Sequence, residues 1–349
     1  MRYKPFGRRT GLRVSELALG TGNFGTGWGH GSEPAEARRI FDAYAEAGGN
    51  FIDTADAYQV GQSEQLLGEF LAAERDRFVV ASKYTLGVQG GLHATGNSRR
   101  TMIAALEASL RRLKTDRLEL YWVHFPDGLT PIDEIVRGLD DLARAGKILH
   151  GGLSNFPAWR VARGDAIAEL RGWTPLAGIQ IEHSLVERTG ERELLPMAEA
   201  LGLGAALWSP LGGGFLTGKY RTGDEGRLTG LGMLVHTEKS ARETAVLDAV
   251  LAVAAEAGVA PTQVALAWSL AHAAASTSAR VPILGPRTRE QLDAALAALT
   301  LELSPAQRAR LDDASAIPLD TPHRQVHDSR ARIAGGQPDS ILPLPIPVA

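Results

Sequence analysis

Eight short runs of apolar, β-branched and small residues recur along this chain, at 17–20, 50–54, 78–82, 118–123, 150–154, 179–182, 204–209 and 280–284. Runs of that length, closed by glycine, proline or polar residues, read as buried strands. Helical stripes separate them. Ala37, Ile40, Phe41, Tyr44 and Ala45 share one face, introduced by Ser32 and Pro34 and stopped by Gly48-Gly49. Ile132, Ile135, Val136, Leu139 and Leu142 form another behind Thr130-Pro131; Leu106, Leu110 and Leu113 precede the fourth run, and Leu292, Ala295, Leu296 and Leu299 follow the eighth. Parallel neighbours need crossovers of this kind, and eight such strands close a barrel. The fold class expected is α/β, a (β/α)8 TIM barrel in one domain over 1–349. Residues 1–15 turn at Phe6-Gly7-Arg8 and Thr10-Gly11, which predicts a small hairpin placed to plug the barrel bottom.

Three segments interrupt the alternation. Residues 85–99, with Gly87, Gly90, Gly91 and Gly96, form a long loop after the third run, and 211–238 a longer one after the seventh. Both overhang the C-terminal face, where parallel α/β barrels carry their chemistry. The third segment is the tail 317–349, whose last nine residues, Ile341 to Ala349, hold three prolines and favour an extended form. Its apolar character predicts packing on the barrel or on a partner.

A length of 349 residues suits two average domains as well as one barrel, so the alternation decides the domain count. With 44% hydrophobic and 22% charged residues the chain can bury a sizeable core, and a formal net charge of -3 gives no general pull toward nucleic acid or anionic membrane. The absence of cysteine excludes disulfides, thiolate metal sites and cysteine nucleophiles, and fits a reducing compartment. The first ten residues lack the apolar core of a signal peptide, and no stretch approaches 18 uncharged apolar residues, so a cytoplasmic protein is expected. No carboxylate and histidine cluster has metal-ligand spacing, and no metal is expected.

Asp53, Lys83 and His124 end or closely follow three of the strand runs, and Tyr58 stands just beyond the first of these. An unpaired buried charge is costly, so the Asp and the Lys are expected to pair with each other. A tyrosine titrating near ~10 keeps a proton at neutral pH, and a neighbouring ammonium eases its release by stabilising the phenolate.

These four residues resemble the catalytic tetrad of the aldo-keto reductases, and the sequence is similar to the branch of that superfamily related to potassium-channel β subunits. The resemblance covers residues 17–311 and includes, in the family's order, Gly151-Gly152-Leu153-Ser154-Asn155-Phe156, Trp208-Ser209-Pro210-Leu211-Gly212-Gly213-Gly214, Leu216-Thr217-Gly218-Lys219-Tyr220 and Ile283-Leu284-Gly285-Pro286-Arg287. It implies Tyr58 as acid, Lys83 beside it, Asp53 holding Lys83, and His124 orienting the substrate carbonyl. Asp56, His93 and His183 fall outside the matched positions and are read as non-catalytic.

The resemblance also implies a nicotinamide cofactor, NADP(H), across the barrel mouth. Ser154, Asn155 and Gln180 match positions that bond the carboxamide, and Trp208 matches the aromatic that stacks on the nicotinamide. Ser209, Pro210, Leu211, Gly213, Gly214 and Lys219 match the loop over the pyrophosphate, and Gly285, Arg287, Thr288 and Gln291 the adenosine end. A 2'-phosphate there would meet a guanidinium and a helix N-terminus, which favours NADP over NAD. Ala294 and Ala295 depart from the Glu and Asn that grip adenine in many relatives.

Two motifs fail in context. Gly20-Thr21-Gly22-Asn23-Phe24-Gly25 satisfies a dinucleotide G-x-G-x-x-G string, but a loop rather than a helix follows it. In the barrel reading Gly22 and Asn23 lie near the cofactor, while Phe24, Trp28 and Phe125 wall the substrate beside Tyr58 and His124. Gly213 to Tyr220 resembles a P-loop but ends in Tyr where Ser or Thr binds magnesium.

The function expected is NADPH-dependent reduction of an aldehyde, ketone or sugar-like carbonyl. The alternative is a cofactor-binding regulatory subunit resembling the channel β subunits, with slow or vestigial turnover. A hydrolase on the same barrel is disfavoured, because the four positions offer one carboxylate and not a working pair. The partner expected is a small-molecule carbonyl compound, with neither nucleic acid nor membrane, and the sequence leaves the oligomeric state open.

Overall fold

The structure, a computed structural model, describes residues 1–88, 91–221 and 236–342. Gly90 of the first long loop, residues 222–235 of the second and 343–349 of the tail therefore lie outside the described residues. Strands β1 (Tyr3–Pro5) and β2 (Arg13–Ser15) pair antiparallel as the expected hairpin. The next eight strands, β3 (Ala18–Gly20), β4 (Phe51–Asp53), β5 (Val79–Tyr84), β6 (Leu118–Val123), β7 (Ile148–Ser154), β8 (Leu176–Glu182), β9 (Gly204–Trp208) and β10 (Arg280–Leu284), form a closed barrel. Every pairing in it is parallel, and β10 bonds to both β9 and β3. Each run seen in the sequence became a strand.

Between strands run α1 (Pro34–Glu46), α2 (Gln62–Phe70), α3 (Arg99–Leu113), α4 (Ile132–Arg144), α5 (Ala158–Arg171), α6 (Leu194–Leu201), α7 (Ala241–Ala257) and α8 (Pro261–Ala274). After the barrel come α9 (Arg289–Leu296), α10 (Pro305–Ser315) and α11 (His323–Ile333). Local chemistry fixes their ends. Ser98 caps α3 by accepting from the Thr101 N–H, Ser304 caps α10 through Gln307, and α4 buries the stripe Ile132, Ile135, Val136, Leu139 and Leu142. Among the described residues no single helix is long and apolar enough to cross a membrane.

The tail departs from expectation. Its start is held by Arg192, which donates to the Pro318 carbonyl and pairs with Asp320, but the segment then coils into α11. Val326 and Ile333 on that helix stay exposed. The proline-dense end, whose composition suggested an extended form, lies almost wholly outside the described residues.

The hairpin does plug the barrel. Phe6 is fully buried at the N-terminal ends of the strands, edge-on to Phe51 at 5.5 Å and Trp122 at 6.2 Å. Gly178 and Gly204 make room for it, since a Cβ on either would sit 2.7 or 2.8 Å from the Phe6 ring. Truncation of Phe6 to alanine is expected to cost about 3–5 kcal/mol in denaturant unfolding, because the ring has no other surface to collapse onto. An unchanged unfolding midpoint would contradict the plug.

Candidate active site

Side chains alternate along a strand, so every second residue of the barrel wall points inward. Phe51, Val79, Ala81, Leu120 and Trp122 belong to this inner apolar layer. The next inward positions toward the C-terminal face are Asp53, Lys83 and His124. The same period that fills the core thus delivers three polar side chains to one rim.

Lys83 has no solvent exposure, and its Nζ donates to Asp53 Oδ2 at 2.5 Å, to the Thr54 carbonyl at 2.8 Å and to the Tyr58 hydroxyl oxygen at 2.8 Å. An ammonium has three donors, and all three are used. Burial alone would lower the Lys83 pKa, but the charge of Asp53, the nearby Tyr58 and hydrogen bonds to both outweigh it and hold the pKa above its ordinary value. Asp53 Oδ1 accepts from Gln180 Nε2 at 2.8 Å, which fixes the carboxylate from its other side.

Tyr58 begins a single 3-10 turn, Tyr58–Gly61, in which Gln59 (φ 49°) and Val60 (φ 58°) take left-handed backbone. A β-branched residue rarely does so, and such strain costs on the order of 1–3 kcal/mol per residue. The turn sets the Tyr58 ring edge-on to His124 at 6.0 Å and to Trp28 at 6.0 Å. Buried Gln59 holds the first barrel loop to this turn, donating to the Gly22 carbonyl at 2.9 Å and accepting from the Trp28 N–H at 3.0 Å. Gln59 escaped the sequence reading, because a polar residue in a turn carries no signal of a positive φ or of full burial.

His124 is buried, stacks on Phe125 at 4.7 Å and anchors its own N–H on the Tyr84 carbonyl. Burial first, and the Lys83 charge second, push its pKa well below the ordinary histidine value. The ring is therefore neutral at physiological pH, able to donate one hydrogen bond without carrying charge. Phe125 and Trp28 flank this cleft, but Phe24 does not: its ring is wholly buried against Phe70 in the outer core, which corrects its placement as a substrate wall.

The ends of β7, β8 and β9 bring Ser154, Asn155, Gln180 and Trp208 together. Asn155, in left-handed backbone (φ 60°), accepts from Trp208 Nε1 at 3.1 Å and donates to Ser154 Oγ and the His124 carbonyl, each at 3.1 Å. Ser209, also left-handed (φ 52°), turns the chain past buried Pro210 and half-buried Leu211 into the turn Gly212–Thr217. Gly214 takes left-handed backbone (φ 95°), and the Lys219 ammonium lies close over it, 3.1 Å from where a Cβ would stand. Across the barrel mouth, Asn23 donates to the Gly285 carbonyl at 2.8 Å and Ser32 to the Arg287 carbonyl at 2.7 Å. Gly22 lies within 3.7 Å of the Tyr58 ring, measured from a Cβ built on it. Thr288 caps α9 and Gln291 accepts from the Arg287 N–H, while the Arg287 guanidinium makes no ion pair or hydrogen bond among the described residues.

The aldo/keto reductase family pattern matches residues 16–316, the whole of this barrel. The chain belongs to the aldo/keto reductase family. It is 35% identical over 316 residues to norsolorinic acid reductase of Aspergillus flavus, covering 87% of this chain and 78% of that protein. It is 36% identical over 324 residues to an uncharacterised oxidoreductase of Bacillus subtilis (90% of this chain, 95% of that one). An NADP(+) aryl-alcohol dehydrogenase of Phanerodontia chrysosporium is 35% identical over 336 residues, covering 89% of this chain and 85% of that protein.

Aldo/keto reductases are oxidoreductases that use NAD(P)H. The donor set here fits such a group: a half-buried indole fixed at its N–H, a glycine-lined loop under a lysine, and a guanidinium at a helix start. The site also makes a spectroscopic demand. His124 is expected to show no protonation step between pH 6 and 8 in imidazole-resolved NMR; a titration near ~6.5 would show that the ring is not desolvated as described.

Proposed function

We propose that this aldo/keto reductase reduces an aldehyde, ketone or sugar-like carbonyl with NADPH, Tyr58 giving the proton. The observation that carries the proposal is the 2.8 Å contact in which Tyr58 accepts from a fully buried, fully committed ammonium. In accepting there the phenol keeps its own proton to donate. As that proton leaves, Lys83 stabilises the phenolate, and Asp53, held by Gln180, keeps Lys83 charged and aimed. Neutral His124 donates to the substrate oxygen and sets the carbonyl beside Tyr58. Reduced nicotinamide, when bound, supplies hydride to the carbonyl carbon.

Ser154, Asn155 and Gln180 would hold the nicotinamide amide, with Gln180 Oε1 left to accept because its Nε2 serves Asp53. Trp208 would carry the ring face, Ser209 to Gly214 with Lys219 the pyrophosphate, and Arg287 with Thr288 a 2'-phosphate, which supports NADPH over NADH. Trp28, against Tyr58, and Phe125, stacked on His124, would offer aromatic faces that suit a flat aromatic carbonyl compound. That choice agrees with relatives named for norsolorinic acid and aryl alcohols. The same relatives carry enzyme names, which puts a regulatory role akin to channel β subunits second. The compartment proposed is the cytoplasm.

Tyr58→Phe removes a proton and little volume. Turnover is expected to fall by roughly 10²–10⁴-fold, while fluorescence titration still shows NADPH binding and shows it tighter than NADH. Retained turnover would exclude Tyr58 as the acid, and equal affinities would exclude the 2'-phosphate site.

A further inference from the structure

Behind the segment that carries Tyr58 lies a second set of buried charges that the reduction, as described, does not use. Asp56 and Glu64 are 1% and 0% exposed. Glu64 is fully satisfied: Oε1 accepts from Ser82 at 2.5 Å and Oε2 from Arg112 Nε at 2.7 Å. Among the described residues Asp56 Oδ1 is buried with no hydrogen-bond partner, although the Asp56 N–H donates to the Lys83 carbonyl at 3.1 Å and so ties this residue to the strand bearing the ammonium. Lys83 cannot serve Asp56, because its donors are taken by Asp53, Thr54 and Tyr58.

The groups facing Asp56 are Glu64 of α2, Arg112 of α3, Lys83 of β5, Tyr121 of β6 and the Ala57 N–H. One guanidinium thus faces two carboxyls and is bonded to the other one. Burial first, and the Glu64 charge second, push the Asp56 carboxyl up to about 7.

We propose that Asp56 is a positioning residue of the reduction: neutral, it leaves the Lys83–Tyr58 contact free to release a proton, and its ionisation tightens the hold of Tyr58 on that proton and sets the alkaline limit of the reductive step. A negative charge in this low-dielectric space stabilises the Lys83 ammonium and opposes the Tyr58 phenolate. The inference rests on the reading of Tyr58 as the acid. Linkage gives a second consequence that does not. A carboxyl raised from 3.8 to about 7 contributes stability that is full below about 4 and is lost as pH rises through about 7.

The test is the single-turnover reduction rate of the NADPH-loaded enzyme from pH 5.5 to 9, with melting temperature followed over the same range. Wild type is expected to slow by roughly three- to tenfold, and to lose thermal stability, around pH 7. Asp56→Asn is expected to abolish that rate step and flatten the melting profile. Glu64→Gln, which removes the like charge and releases Arg112, is expected to move the step to lower pH. A rate step near pH 7 that survives Asp56→Asn, in an enzyme that Tyr58→Phe inactivates, overturns this inference and leaves the acid assignment standing. A Tyr58→Phe enzyme that still turns over overturns the acid assignment itself. Carboxyl carbon NMR of the wild-type protein needs no variant to fold; an Asp56 titration at the ordinary ~4 would also overturn the proposal.

Discussion

One buried ammonium organises the catalytic face of this barrel. Lys83 has no solvent around it, and its charge persists only because a carboxylate, a backbone carbonyl and a phenol accept from it at once. Each acceptor is placed by a different piece of chain: Asp53 by the end of β4, Thr54 by the turn that leaves it, and Tyr58 by a strained 3-10 turn. Without Asp53 the ammonium would be an uncompensated charge in the barrel. The lysine therefore ties together the positions of the three residues, and the Tyr58 hydroxyl is held against a buried ammonium.

The scaffold supports this arrangement from below and from the side. Phe6 closes the N-terminal end and packs against Phe51 and Trp122, residues of the same inward series that ends in Asp53 and His124. On the outer side, Glu64, Ser82 and Arg112 knit α2, β5 and α3 together around the segment leading to Tyr58. The two layers share one consequence. Most polar atoms near Tyr58 are partnered by protein, whereas Asp56 Oδ1 and His124 Nδ1 are buried without a hydrogen-bond partner among the described residues, and burial shifts the pKa of both groups.

Much of this was legible in the sequence, and for a definite reason. Short apolar runs closed by a charged residue are visible without coordinates, and Asp53 and Lys83 announce themselves that way. Ser154, Asn155, Gln180 and Trp208 were legible only through resemblance, since a polar residue ending a strand says nothing about which strands adjoin. Gln59 was invisible, because its backbone sign and burial are decided by Gly22 and Trp28, some thirty residues away in another loop. Phe24 misled, as an aromatic in a glycine-rich loop reads as a wall until Phe70 is seen to cover it. The helix α11 was missed because the prolines that follow it dominated the reading of the tail. The exceptional state of Asp56 depends on α2 and α3 meeting beside it, which no local pattern reports.

In the proposed reduction Asp53 and Lys83 act on Tyr58 as one unit. The most direct measurement is a double-mutant cycle, Asp53→Asn with Lys83→Met, read on the single-turnover rate of carbonyl reduction with folding verified by thermal melts. The double variant is expected to lose no more rate than Lys83→Met alone, because Asp53 acts through Lys83. Losses that simply multiply would show two independent residues and contradict the relay.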